Sequence, residues 1–455
     1  MIKLENIQRV HFIGIGGIGM SALARYFSFH GRQVSGYDKT ETRLTQQLVS
    51  EGIAVGYRDD MAEAPKDAEL IVYTPAIPSD HAQFNYYKEN NYLLAKRSDV
   101  LGAITENSFN ICVAGTHGKT TISTMVAHIL RNSGYGCNAF LGGIAANYNS
   151  NFWSDQRDTC VIEADEYDRS FLKLSPDIAV ITAMDADHLD IYGTESAMRD
   201  AFVDFSKKVK PGGSLYVKKG LARDKEFAAK NILRYNINDP GADVYAHNVR
   251  MMNGYYLFDL MVNNGRVDDV ALNMGGLHNV ENASVAIAVA MALGINEEAI
   301  KDAVENFRGV KRRFEYIIKK KNVVYIDDYA HHPEELSALI GSAKDLFSGL
   351  KCTVVFQPHL FTRTRDLADQ FAISLDMADE VLLLPVYPAR ELPIEGVGSE
   401  MLKNKLNTKS RILSKPELLD HIKKYHRSGG LLITAGAGDI DTLVEPIKNI
   451  LSEPN

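Results

Sequence analysis

The sequence predicts an α/β protein of about three domains built on largely parallel sheets, and three observations carry that expectation. Short β-branched runs alternate with helix-period stretches from one end of the chain to the other. The 455 residues allow about three compact cores at roughly 100 to 200 residues each. Several strand candidates end in a burst of glycine or polar residues: GTHGKTT, EADEYD, MDADH, DDYAHH, QPHLFTRTR and AGAGD. In open α/β sheets ligands bind beyond the carboxyl ends of the strands, so these bursts mark where chemistry belongs.

In chain order, strands are expected at 10–15, 33–37, 70–73, 111–115, 160–164, 178–183, 323–327, 353–357, 380–385 and 431–435. A polar TENS segment before the fourth of these and a basic connection, RGVKRRFE, before the seventh divide the chain into 1–106, 107–312 and 313–455. With 45% hydrophobic and 24% charged residues, no part is biased towards disorder. Lys and Arg total 50 against 58 Asp and Glu, a net charge of −8, so no global positive field would hold a nucleic acid or an anionic bilayer. The four cysteines, Cys112, Cys137, Cys160 and Cys352, lie far apart inside apolar runs and read as buried free thiols of a reducing compartment. MIKLENIQRV lacks a signal-peptide core, and the longest apolar runs are strand-sized, so a cytoplasmic protein without membrane insertion is expected.

The first glycine-rich loop follows a strand and opens a helix: Gly14-x-Gly16-Gly17-x-Gly19, then Met20, Leu23, Ala24 and Phe27 on one face. It reads either as a nucleotide diphosphate site, with Asp38 after the next strand at the usual place of a ribose ligand, or as tight strand-to-helix packing. NAD is the first guess from this loop alone. A second phosphate loop argues against it. In Gly115-Thr116-His117-Gly118-Lys119-Thr120-Thr121, a lysine at a helix start can neutralise β- and γ-phosphates and the next hydroxyl can enter a magnesium shell, which points to ATP. Its two glycines are separated by two residues, fewer than in the common phosphate-loop pattern. Glu163, Asp165 and Glu166 follow one neighbouring strand and Asp185, Asp187 and His188 another, offering hard ligands for Mg²⁺ or Mn²⁺.

Taken together, GIGGIGMSALA, AGTHGKTT, EADEYDRSFL, MDADHLDIYG, LHNVENASVAIAVA, GVKRRFE, DDYAHHPEEL, FQPHLFTRTRDL and AGAGD make the chain resemble the Mur ligase family of bacterial cell-wall synthesis. The resemblance spans nearly the whole sequence, and HFIGIGGIGMSALA resembles the members that add the first amino acid. It implies a Rossmann-like domain for a UDP-sugar, a central phosphate-loop ATPase domain and a C-terminal Rossmann-like domain for the amino acid. It also implies UDP-N-acetylmuramate, ATP and L-alanine as substrates, with an acyl phosphate between them.

Carried over, Lys119 stabilises the migrating phosphoryl group, Thr120 and Glu163 hold one metal ion and His188 a second. His278, Asn279 and Asn282 meet the adenine and ribose, Arg313 reaches the nucleotide, and Tyr329, His331, His359 and Arg363 shape the amino-acid side. Two positions depart from the family pattern: Val203 stands where several relatives carry a carbamylated lysine, and Leu360 where alanine-adding relatives often carry an arginine. Arg363 therefore leads for the amino-acid carboxylate with Arg365 in reserve; on an extended loop the two would point the same way. A tripeptide-recycling ligase acting on the same UDP-sugar, a nicotinamide-dependent dehydrogenase and a non-catalytic nucleotide-binding regulator are the competing expectations.

Overall fold

Glycine-terminated strands and amphipathic helices assemble three sheets in the computed structural model, which describes residues 2–185, 189–252, 254–263, 265–389, 391–425 and 429–453. The first sheet contains β1 (Arg9–Ile13), β2 (Gln33–Tyr37), β3 (Ala54–Gly56), β4 (Leu70–Tyr73) and β5 (Leu94–Lys96). They are arranged in the order β3-β2-β1-β4-β5 and are parallel throughout. The order reverses at β1, so the glycine loop following β1 sits at the switch point where doubly wound sheets bind ligands.

The second sheet has ten strands. They are β6 (Phe109–Ala114), β7 (Asn138–Ala145), β8 (Ser150–Trp153), β9 (Thr159–Glu163), β10 (Ile178–Ile181), β11 (Ser214–Lys218), β12 (Asn231–Ile237), β13 (Val244–Met252), β14 (Tyr255–Val262) and β15 (Gly265–Leu272). The order is β15-β14-β13-β12-β11-β10-β6-β9-β7-β8. Because β6 is flanked in parallel by β9 and β10, the loops after these three strands emerge at one edge. The third sheet runs β16 (Glu315–Lys319), β17 (Val323–Asp328), β21 (Gly430–Ala435), β18 (Cys352–Phe356), β19 (Glu380–Leu383), β20 (Ser410–Ile412). Only β16 is antiparallel in it.

The chain divides into two compact units: Met1–His247 with Leu260–Val267 and Glu281–Val304, and Asn248–Asp259 with Asp268–Val280 and Glu305–Asn455. The first sheet and the strands β6 to β12 lie in the first unit. Within it, the helix Ile18–Phe29 packs against β7 and β8, and buried Arg25 donates to Asn151 at 2.6 Å and to both carboxylate oxygens of Glu51. Phe12, Leu23, Phe27, Phe140, Phe152 and Phe202 belong to one buried cluster, and Val203 is packed in it on the helix Glu195–Ser206. The four cysteines are free and buried, and burial pushes their thiols up. Among the described residues no helix is long and apolar enough to cross a membrane.

Candidate active site

In the first loop the backbone turns at Gly14, whose φ is +87°, and Gly17 caps the helix Ile18–Phe29. Gly16 N–H donates to Asp38 Oδ2 at 2.7 Å, and a Cβ on Gly16 would stand 2.8 Å from that oxygen. Asp38 Oδ1 accepts from Thr40 N–H at 3.2 Å. Both oxygens of the expected ribose ligand are thus engaged by backbone, and in this structure the carboxylate braces the loop. A cavity of about 240 Å³ opens beside it, lined among others by Gly17, Gly19, Arg97, Gly142, Glu163 and Asp165.

The second loop follows β6. Gly118, at φ +79°, caps the helix Lys119–Asn132, leaving Lys119 at its first position and Thr120 and Thr121 in its first turn. The loop is tied to its neighbours: Thr116 Oγ1 accepts from Asp185 N–H at 3.2 Å, and the Thr182 hydroxyl donates to the His117 carbonyl. His117 itself is exposed, with Nε2 3.6 Å from Asp185 Oδ2. Asn282 belongs beside this loop, since a Cβ on Gly118 would lie 3.0 Å from its Oδ1.

Lys119 Nζ donates to Glu166 Oε1 at 2.7 Å. The Glu166 side chain is 0% exposed and that of Lys119 14%. Burial raises the Glu166 pKa and the adjacent ammonium opposes it. Thr120 Oγ1 donates to Glu163 Oε1 at 2.9 Å, and Glu163 Oε2 accepts from Gly142 N–H at 2.8 Å. Any Cβ on Gly142 would fall within 2.4 Å of that carboxylate, so only glycine lets β7 approach it. A hydroxyl and a carboxylate in contact at a helix N-terminus form a hard-oxygen set that fits Mg²⁺, which usually takes one or two carboxylates and completes its shell with water and phosphate. Among the described residues no three His, Cys, Asp or Glu side chains converge on a metal position. Asp187 and His188, the other expected ligands, lie outside the described residues. Glu166, grouped with Glu163 and Asp165 in the sequence, is the partner of Lys119; three acids in four positions look alike until the fold separates them.

The second unit holds the residues expected on the amino-acid side. Tyr329 follows β17, half exposed, with the Arg312 guanidinium 5.0 Å above its ring. His331 Nδ1 lies 3.0 Å from the Tyr329 carbonyl and 3.5 Å from Glu335 Oε2. Burial lowers the His331 pKa, and Glu335 and the Tyr329 carbonyl oppose that shift. His359 stacks on Tyr387 with centroids 5.8 Å apart and lies 6.1 Å from the His331 ring. Burial pushes Asp327 up to about 7 and Asp328 up to about 6.

The expected extended loop at Arg363 and Arg365 is a helix, Phe361–Asp366. Leu360 takes φ +70°, its N–H bonds the Tyr387 carbonyl at 3.0 Å, and its own carbonyl accepts from Thr364 N–H, so the chain turns into a helix there. Two residues apart on a helix, the arginines point away from each other rather than the same way. Arg363 has a buried Nη1 with no hydrogen-bond partner among the described residues, whereas exposed Arg365 pairs with Asp366 at 2.7 Å. Arg313 is exposed in the connection before β16. On the helix Leu277–Ala292, His278 is exposed at the first turn, and Asn279 is buried with Nδ2 donating to the Gly275 carbonyl at 2.6 Å.

Sequence reasoning missed Arg97, which no glycine or acidic motif announces, and Arg312, read only as linker charge. The neighbouring Gly19 was the one signal for Arg97: a glycine inside a helix asks what lies against it.

Family models match in order along the chain: the Mur ligase family catalytic domain over residues 9–109, the Mur ligase middle domain over 113–290 and the glutamate ligase domain of Mur ligases over 312–438. The UDP-N-acetylmuramate--L-alanine ligase of Flavobacterium johnsoniae is 46% identical over 99% of this chain and 100% of its own length. That of Cytophaga hutchinsonii is 48% identical over 98% and 97%. Among solved structures, a UDP-N-acetylmuramate-alanine ligase from Thermotoga maritima superposes with a TM-score of 0.80 at 28% identity, covering 97% of this chain and 98% of that one.

Proposed function

The chain belongs to the Mur ligase family, and from that premise we propose that it joins L-alanine to the lactyl carboxylate of UDP-N-acetylmuramate, converting ATP to ADP and phosphate, as a step of peptidoglycan precursor synthesis. A lactyl carboxylate oxygen attacks the γ-phosphorus and ADP leaves, giving an acyl phosphate. The alanine amine then attacks the acyl carbon, phosphate leaves, and an amide remains. A carboxylate is a poor acyl donor, and phosphorylation supplies the leaving group it lacks.

The observation that carries this reading is the Lys119–Glu166 pair beside the Thr120–Glu163 contact. Glu166 holds the Lys119 ammonium in place at the loop, where it stabilises charge moving with the phosphoryl group. Thr120 and Glu163 would hold Mg²⁺ or Mn²⁺, which neutralises the phosphate oxygens. Gly115 to Thr121 and Asn282 cradle the phosphates and nucleotide; His278, Asn279 and Arg313 are assigned to the ATP side as well. His331 is assigned to take the proton that the alanine ammonium loses before attack. Arg363 is assigned to the amino-acid carboxylate, with Tyr329 and His359 shaping its surroundings. Gly14, Gly16, Gly17 and Gly19 receive the diphosphate, with Asp38 acting through the loop it braces. We assign 1–106, 107–312 and 313–455 to the UDP-sugar, ATP and amino acid respectively, and the reaction to the cytoplasm, where four buried free thiols remain reduced.

Full-length identity to relatives named for L-alanine favours the alanine reaction over tripeptide recycling, and the second phosphate loop sets the dehydrogenase aside. Phosphate release with UDP-N-acetylmuramate, ATP and Mg²⁺, supplied with each amino acid or the tripeptide singly, tests it. Release that depends on tripeptide and not on L-alanine overturns it.

A further inference from the structure

Arg97 opens the helix Arg97–Glu106 directly after β5. Its side chain lies across the first glycine loop: a Cβ on Gly19 would stand 3.0 Å from Nη1 and 3.1 Å from Cδ. It is half-buried and lines the same cavity as Gly17, Glu163 and Asp165. Neighbouring cations are committed: Arg25 to Glu51 and Asn151, Lys173 to Ser98 and Asp99. The Arg97 guanidinium has no hydrogen bond or ion pair among the described residues. A half-buried, uncompensated cation facing a cavity is costly unless an anion arrives there.

We propose that Arg97 grips the diphosphate of the sugar nucleotide together with the N–H groups of the loop it lies across. The inference rests on the ligase reading and adds a binding residue to it. A guanidinium presents parallel N–H donors that match two phosphate oxygens, while the free N–H groups of the helix Ile18–Phe29 supply the remaining donors. With the diphosphate fixed at the glycine end of the cavity, the sugar extends towards Glu163 and Thr120, where the carboxylate must meet the γ-phosphate. Lysine keeps the charge and loses the fork.

The test is steady-state ligation by wild type, Arg97→Lys and Arg97→Gln, measuring KM for UDP-N-acetylmuramate, the inhibition constant of UDP, which has the diphosphate but no carboxylate, and KM for ATP. The KM for the UDP-sugar and the inhibition constant of UDP should rise together, by about tenfold or more in Arg97→Lys and further in Arg97→Gln, with KM for ATP unchanged. Melting temperatures without ligand identify any loss of fold; should Arg97→Gln melt early, Arg97→Lys carries the comparison. Unchanged constants overturn the proposal, as does a rise confined to UDP-N-acetylmuramate, which transfers Arg97 to the carboxylate. No ligation by wild type overturns the ligase reading instead.

Discussion

Lys119 Nζ sits 2.7 Å from Glu166 Oε1, and the Glu166 side chain is fully buried. The pair pre-positions a cation that would otherwise sample many rotamers at a helix start. Lys119→Ala should lower ligation at least about 100-fold, since a charge that stabilises phosphoryl transfer is worth several kcal/mol, while UDP-sugar affinity stays nearly unchanged. Glu166→Gln keeps the shape and removes the charge, so its loss should fall on kcat rather than on UDP-sugar KM. Steady-state kinetics with calorimetry on the UDP-sugar check both variants; near-normal turnover in Lys119→Ala contradicts the assignment.

Glu163→Gln weakens a hard-oxygen site without disturbing Thr120 or Gly142 sterically. The Mg²⁺ concentration for half-maximal rate should rise in the variant, and excess EDTA should abolish activity in the wild type. A magnesium titration of both proteins decides it. Undiminished turnover in EDTA excludes the proposed role.

Arg363 and Arg365 diverge on the helix Phe361–Asp366, and only Arg363 has a buried donor awaiting a partner. Arg363→Lys should raise KM for alanine by roughly tenfold or more through the lost bidentate bond, with KM for ATP little changed. Arg365→Lys should leave both near wild type. The reverse pattern assigns the carboxylate to Arg365.

Asp327 is held with its pKa near 7 by burial, against a usual value of 3.8. Because the folded value is the higher, protonation favours the folded state most fully below pH 4, and that contribution is lost as the pH rises through about 7. Asp327→Asn is neutral throughout, so its melting temperature relative to wild type should be higher at pH 8 than at pH 5. A difference independent of pH between 5 and 8 contradicts the buried, late-ionising carboxyl.

What the sequence made legible follows from locality. Strands 33–37 and 70–73 emerge with the expected bounds because each run stops at a polar residue, Asp38 and Thr74, where the chain leaves the sheet. The edge strands Ala54–Gly56 and Leu94–Lys96 escape because three residues are too few to mark a run, and the β7–β8 hairpin because Gly142 and Gly143 interrupt its apolar stretch; sheet pairing supplies the rest. In the site, Gly118-Lys119-Thr120 is legible because a glycine, a lysine and hydroxyl residues between a strand and a helix are contiguous in sequence. The partition of Glu163 to Thr120 and Glu166 to Lys119 is a tertiary fact, as is the helical turn that Leu360 begins at positive φ.

The most direct measurement of the central claim follows atoms rather than rates. With UDP-N-acetylmuramate labelled by oxygen-18 in both lactyl carboxylate oxygens, attack on the γ-phosphorus carries one labelled oxygen into the acyl phosphate bridge, and amine attack releases it. Mass spectrometry of the products should find one heavy oxygen in each phosphate released and one retained in the L-alanyl amide, with release dependent on L-alanine. Unlabelled phosphate, or label transfer that requires the tripeptide and ignores L-alanine, would contradict the account.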